Sequence, residues 1–204
     1  MQQMVAMWFL IFAVFVYCLG SINFAILFFR LLKKGDPRAG FSGNPGVTNV
    51  YRQAGGPAAA LVLVLDVGRA AAVSALALVL FFPPAVAWSG LALICGNRYP
   101  CFHQFKGGKG VANYLGFSTV LVPAGALAAC IAWGLVFGLM RLPFIASFSM
   151  VAVLAGATIF RWPDSPLAIA GTVATVLFIV FNHRTNIAEF RRSLRSRKTR
   201  SAGR

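Results

Sequence analysis

Acidic side chains are almost missing from this chain. Asp36, Asp66, Asp164 and Glu189 are its only four acids in 204 residues, against nineteen Lys and Arg, which leaves a formal charge of +15. Charged residues of both signs make up only 11% and hydrophobic ones 59%, whereas a soluble domain is about a quarter charged. That shortage argues against a soluble domain and for a membrane protein. Basicity alone would suit a nucleic-acid binder, but the cations fall between apolar runs and at the C-terminus. That is the pattern of the positive-inside rule, and no nucleic-acid partner is expected. Cysteine is also scarce. Of Cys18, Cys95, Cys101 and Cys130, three sit inside apolar runs, and none forms a CxxC or metal-ligand spacing. They read as small buried hydrophobes, with no zinc or redox site. The N-terminal apolar run has no basic n-region and is long enough to span, so it is not expected to be a cleaved signal. No internal repeat or second domain is visible.

What is present is a series of apolar runs. Residues 4–29 form the first, interrupted only by Gly20, Ser21 and Asn23. Residues 58–82 form the second, with Asp66 and Arg69 inside it, and Pro83 and Pro84 stop it. A short third run covers 85–95, and later ones cover 142–160 and 166–181. The stretch 111–140 has 30 residues, too long for an ordinary span of about 20, and Pro123 lies near its middle. Parity decides how to divide it. The basic loops 30–52 and 98–109 and the Arg-rich tail should all face the cytoplasm. The chain must then cross an even number of times between the second loop and the tail, which requires a break at Pro123. The expectation is an all-α polytopic membrane protein of seven short transmembrane helices, N-terminus out and C-terminus in. Residues 1–190 would form one integral-membrane domain and 191–204 a basic cytoplasmic tail.

Three polar segments then share one side of the membrane. The first, FSGNPGVTNVYR (41–52), has the composition of a tight loop exposing backbone N–H groups. Asn44, Thr48 and Asn49 add neutral donors, and Arg52 adds a fork suited to phosphate oxygens. Taken alone, such a loop is more often a plain solvated turn. The second, FKGGKGVAN (105–113), fails the nucleotide P-loop pattern, because Gly110 rather than Ser or Thr follows Lys109, and His103 occupies the position of the first glycine. The physics is still that of an anion cradle: glycines allow close approach, Lys106 and Lys109 neutralise, and a helix N-terminus follows. Alternatively, the lysines are snorkelling interface anchors. The third, FNHRTNIAEFRR (181–192), carries His183 and Asn186, which are three apart and expected on one helix face. Asp66 and Arg69 share that spacing and should pair, since unpaired intramembrane charges are costly. Whether that pair serves structure or a ligand stays open.

Together these segments resemble the bacterial membrane glycerol-3-phosphate acyltransferases that use acyl phosphate as donor. The resemblance is carried by Ser42-Gly43-Asn44-Pro45-Gly46, Thr48-Asn49-Val50-Tyr51-Arg52, the string 105–112, and His183, Arg184 and Asn186. Weaker matches are Gly20-Ser21-Ile22, Asp36-Pro37-Arg38 and Leu65-Asp66-Val67-Gly68. The chain looks like a divergent member, departing from the usual pattern at Asn23, Phe41, Val47, Arg69, Ala70, Asn97, Asn113 and Asn182.

The resemblance implies a multi-pass enzyme of the bacterial cytoplasmic (inner) membrane with its active site at the cytoplasmic face. It would transfer a fatty acyl group from acyl phosphate to the 1-hydroxyl of glycerol 3-phosphate, giving lysophosphatidate and phosphate for phospholipid synthesis. No cofactor or metal is implied. Membrane lipid and the enzyme supplying acyl phosphate are the expected partners. Ser42, Lys109 and His183 are the catalytic candidates. Asn44, Gly46, Thr48, Asn49, Arg52, Lys106, Gly107, Gly108, Gly110 and Asn186 are the substrate-binding ones. Arg52 and Lys109 are expected on the acceptor's phosphate, and Ser42, Asn44 and the glycine segment on the donor. Either His183 or a substrate phosphate would accept the hydroxyl proton. A transporter of a phosphorylated metabolite, or a catalytically weak homologue with a binding or regulatory role, are the competing readings.

Overall fold

The computed structural model describes residues 2–202, with side chains from 3 to 196. The end of the basic tail, residues 203 and 204 and the side chains from 197, lies outside the described residues. Among the described residues there are nine α-helices and no strand. In order these are α1 (Gln2–Gly20), α2 (Phe24–Leu31), α3 (Val47–Leu80), α4 (Pro83–Arg98), α5 (Val111–Leu121), α6 (Pro123–Met140), α7 (Pro143–Arg161), α8 (Pro166–Asn182) and α9 (Arg184–Ala202).

Proline writes much of this punctuation. α4, α6, α7 and α8 each open on one, because a first-turn residue needs no intrahelical N–H partner and proline's φ is already helical. The stretch 111–140 is divided where Pro123 lies, with only Val122 between α5 and α6. The first apolar run is broken more deeply than its sequence suggests: α1 stops at Gly20, and Asn23 restarts the chain by accepting a hydrogen bond from the Ile26 N–H at 3.0 Å. α3 begins eleven residues before the apolar run at 58 does. Its first turns are polar, and Gly55, at φ 81°, kinks it ahead of Pro57.

By length and apolarity, four described segments can cross a membrane: Gln3–Leu31, Val47–Leu80, Pro123–Met140 and Pro143–Arg161. A fifth counts if α8 and α9, bent by 53° at their junction, are one span. Leu10, Val14, Leu127, Leu135, Leu139 and Phe160 lie exposed on the outside, an apolar exterior suited to lipid.

The interior is built on close helix contacts. A Cβ on Gly20 would stand 2.3 Å from the Leu93 carbonyl oxygen, and one on Gly96 would stand 2.1 Å from that of Tyr17. α1 and α4 therefore touch backbone to backbone, as small residues permit in membrane bundles. Phe12, Val16, Val73, Val86, Leu93 and Phe117 fill the core shared by α1, α3, α4 and α5. Ile94, Tyr114, Met150, Leu154 and Ile179 fill the one linking α4 to α8. These contacts bring the end of α4, the starts of α3 and α5 and the end of α8 to one end of the bundle.

Candidate active site

The first loop is held by its own polar groups. Asp36 accepts from the Arg38 N–H at 2.8 Å, capping a single 3-10 turn, Pro37–Ala39, and pairs with the Arg38 guanidinium at 2.6 Å. That hydrogen-bonded pairing holds the Asp36 carboxyl below its ordinary range. Arg38 also donates to the carbonyls of His103 (2.8 Å) and Lys106 (3.2 Å), stitching the first loop to the second. Asn49, on the first turn of α3, donates to the Pro37 and Gly40 carbonyls. The loop between them turns through positive φ at Phe41 (50°) and Gly43 (64°).

The second loop uses its glycines in a way the sequence does not reveal. A Cβ at Gly107 would lie 2.0 Å from the Asn97 carbonyl oxygen, at Gly108 2.8 Å from Asn97 Nδ2, and at Gly110 2.5 Å from Ile94 Cγ2. The absent side chains let the loop lie on the last turns of α4. The Gly107 and Gly108 N–H groups are spent there, donating to the Arg98 and Asn97 carbonyls. The unpaired donors that remain for an anion are the Lys109 and Gly110 N–H groups and those of the first turn of α5, where no side chain caps the helix. Lys109 sits between, half-buried, with its ammonium donating to Asn186 Oδ1. Burial, together with the charges of Arg98 and Arg52 and against that of Glu189, pushes Lys109 down to about 8.

The third segment corrects one expectation. His183 and Asn186 do not share a helix face: α8 ends at Asn182, His183 caps it, and Asn186 belongs to α9. The chain bends by 53° there, so three-residue helical spacing does not hold across the junction. His183 is buried, with Nδ1 at 2.8 Å from the Ile179 carbonyl and its ring edge-on to Phe148. A carbonyl only accepts, so Nδ1 carries the hydrogen and Nε2 keeps a lone pair. Burial pushes this imidazole down to about 4, with the Lys109 and Arg98 charges acting the same way.

Between the three segments lies a cleft of about 180 Å³. The first loop supplies Ser42, Gly43 and Asn44, and the second supplies Arg98, Gly107 and Lys109. Asn182, Arg184 and Thr185 close the third side. Ser42, Asn44, Gly107 and Lys109 thus meet as lining residues, and Asn186 joins through Lys109. Gly46 and Asn49 frame the first loop. Gly108, Gly110 and His183 are buried behind the lining, whereas Thr48, Arg52 and Lys106 are exposed around it. Gly43, Arg98, Asn182, Arg184 and Thr185 also line the cleft and are not among the site candidates expected from sequence, where Asn182 figures only as a departure and Arg98 only as the end of an apolar run.

Asp66 and Arg69 form the expected pair, at 2.9 Å. Arg69 also donates to the Ile22 carbonyl and to Asn113 Oδ1 and lies over the Phe24 ring at 5.0 Å. The pair fastens α3 to the break after α1 and to the first turn of α5, and two departures from the family pattern, Arg69 and Asn113, are in contact.

A bundle with membrane-length apolar helices and a cleft at one end lined by Arg98, Lys109 and Arg184 defines a helical membrane protein with a cationic cleft. The sequence profile described as Glycerol-3-phosphate acyltransferase matches residues 10–193. A glycerol-3-phosphate acyltransferase of Pseudomonas paraeruginosa is 39% identical over 178 residues, spanning 87% of this chain and 93% of the relative. The fold is similar to the crystal structure of PlsY (YgiH), an integral membrane glycerol 3-phosphate acyltransferase, in its glycerol 3-phosphate form. The TM-score is 0.83 at 31% identity, over 91% of this chain and 92% of that one. The lysophosphatidic acid form of PlsY gives 0.81 at 30%, with the same coverage. The chain belongs to the glycerol-3-phosphate acyltransferase family.

Proposed function

We propose that this protein transfers a fatty acyl group from acyl phosphate to the 1-hydroxyl of glycerol 3-phosphate, releasing lysophosphatidate and phosphate. The observation that carries this reading is the cleft itself. Lys109 and Arg98 face one small space with Ser42, Asn44 and Asn182, at the end of a bundle whose exterior is apolar. Two phosphorylated reactants meet their charge requirement there, and a fatty chain can lie along the adjoining hydrocarbon. Acyl phosphate is already activated, so positioning and charge stabilisation suffice. The glycerol oxygen bonds to the acyl carbon, the bond from that carbon to the phosphate oxygen breaks, and phosphate leaves with the electron pair. Ser42, Asn44 and the first turn of α5 hold the donor. Lys109 holds the acceptor's phosphate, with Arg52 and Lys106 at the rim and Asn186 orienting the ammonium. The hydroxyl proton passes to a phosphate dianion, whose second pKa is about 6, in preference to His183. An imidazole lowered to about 4 is a weak base at neutral pH, and the role left to His183 is to fix the end of α8.

The site faces the cytoplasm of the bacterial inner membrane in this reading, with seven crossings, the N-terminus outside and the basic tail inside. One integral-membrane domain covers residues 1–190, and the enzyme supplying acyl phosphate works beside it. The charge distribution supports that orientation: Arg30, Lys33, Lys34, Arg52, Arg98, Lys106, Lys109 and Arg184 gather at the cleft end, whereas Arg161 and Asp164 lie at the α7–α8 turn. Purified protein given acyl phosphate and glycerol 3-phosphate should release phosphate and form lysophosphatidate. Absence of turnover with binding intact would assign a binding role instead. A periplasmic reporter fused after Arg204 should stay silent, and a strong signal would overturn the seven-span count.

A further inference from the structure

The cleft holds a cation that no carboxylate among the described residues neutralises. Arg98 ends α4, half-buried, with its guanidinium 5.4 Å from the Tyr99 ring centroid. Its Nη1 makes one long bond, 3.4 Å, to the Gly107 carbonyl, and its Nε is buried without a partner. The ion pairs among the described residues, Arg38–Asp36 and Arg69–Asp66, leave Arg98 out. Lys109 lines the same cleft, and its hydrogen bond goes to a neutral amide. Arg98, Lys109 and the exposed Arg184 face one small space, with Glu189 acting as a counter-charge on Lys109 only. These cations repel one another until an anion enters, and a planar fork with a free donor suits phosphate oxygens.

The third segment contributes a complementary group. Asn182 is 2% exposed and lines the cleft, and its Oδ1 has no partner. Its Nδ2 makes a long 3.4 Å bond to the Lys109 carbonyl. A buried amide oxygen without a donor is costly, and a ligand hydroxyl would satisfy it. A ligand carrying both phosphate and hydroxyl answers both needs, and a space of about 180 Å³ suits a three-carbon head group better than a fatty chain.

We propose that Arg98 and Asn182 form the acceptor subsite, the guanidinium binding the phosphate of glycerol 3-phosphate and the amide oxygen a glycerol hydroxyl. This rests on glycerol 3-phosphate being the acceptor. The test is two-substrate kinetics on Arg98→Gln, Arg98→Lys and Asn182→Ala in detergent, each checked for a wild-type thermal transition. Arg98→Gln should raise KM for glycerol 3-phosphate roughly ten- to a hundredfold, with kcat and the KM for acyl phosphate held within about threefold. Arg98→Lys should recover part of the loss, since it keeps the charge without the fork, and Asn182→Ala should raise the same KM by roughly three- to tenfold. A rise in both KM values together, or in the acyl phosphate KM alone, would overturn the assignment: the first result means that Arg98 acts by holding the loop at Gly107, the second that it serves the donor. An unchanged KM for glycerol 3-phosphate would also overturn it. If the wild type shows no turnover, the acyltransferase reading fails, and calorimetric titration with glycerol 3-phosphate decides the subsite separately. Binding lost in Arg98→Gln sustains it; equal affinities, or no binding to the wild type, overturn it. Should Arg98→Gln not fold, Arg98→Lys carries the same measurements, with weakened acceptor affinity expected and wild-type affinity counting against the proposal.

Discussion

The lowered affinity of Lys109 for its proton predicts an alkaline limit on activity. A depressed pKa means that the ammonium loses its proton earlier as pH rises, so the cation is present on the acid side of about 8 and lost above it. With that value, roughly nine-tenths of the free enzyme carries the charge at pH 7 and roughly one-tenth at pH 9. If the ammonium is needed to hold the acceptor's phosphate, kcat/KM for glycerol 3-phosphate should fall about tenfold over that interval, because kcat/KM reports the free enzyme. A lysine at its ordinary pKa would give almost no fall. The assay is initial-rate phosphate release across pH 6.5–9.5, with acyl phosphate measured at each pH to correct for its own hydrolysis. Lys109→Arg supplies the decisive comparison. Its guanidinium stays charged throughout, so the variant should be slower at pH 7 yet nearly flat to pH 9. An identical fall in wild type and variant would show that another group titrates and would refute the reasoning.

Packing and backbone strain make further perturbations informative. Gly107→Ala should cost roughly 1–3 kcal/mol by thermal unfolding in detergent and remove turnover, because its Cβ meets the Asn97 carbonyl; Gly138→Ala, with open space around it, should be neutral or slightly stabilising. Arg69→Met should cost about 3–5 kcal/mol by leaving Asp66 buried alone. Combined with Asn113→Ala, the loss should be smaller than the sum, and strict additivity would deny the contact between them. Phe41→Gly should stabilise by about 1 kcal/mol, since Phe41 holds a left-handed φ of 50° with an exposed side chain; a lower melting temperature would count against strain there.

The legibility of the fold and site in the sequence depends on where the signal lies. Apolar runs and prolines mark α4, α6, α7 and α8 because helix starts have a chemistry of their own. The start of α3 is obscured: Val47, Val50 and Ala54 keep helical spacing and pack in one cluster, but the polar residues among them and the interruption at Gly55 mask the signal. The glycines of 107–110 are legible as a close-approach loop, but not that the closest approach is to α4. That contact joins residues distant from any local pattern. His183 and Asn186 mislead through their spacing, which is informative only while a helix continues. Arg98 stays invisible as a site residue because a terminal arginine on an apolar run already has an explanation as an interface anchor.

The cleft takes its walls from the forties, the region 98–110 and residues 182–185, which are far apart in order of synthesis. A chain growing at about 5–20 residues per second completes the first two walls and then waits several seconds for the roughly 70 residues that carry the third. Until α8 has entered the membrane and Asn186 has reached Lys109, the lysine has no amide to hold it and the cleft has no floor. Until then the nascent protein presents two basic, glycine-rich loops without the third wall of the cleft. If this cleft is the active site, activity is expected only once the residues of its third wall are in place.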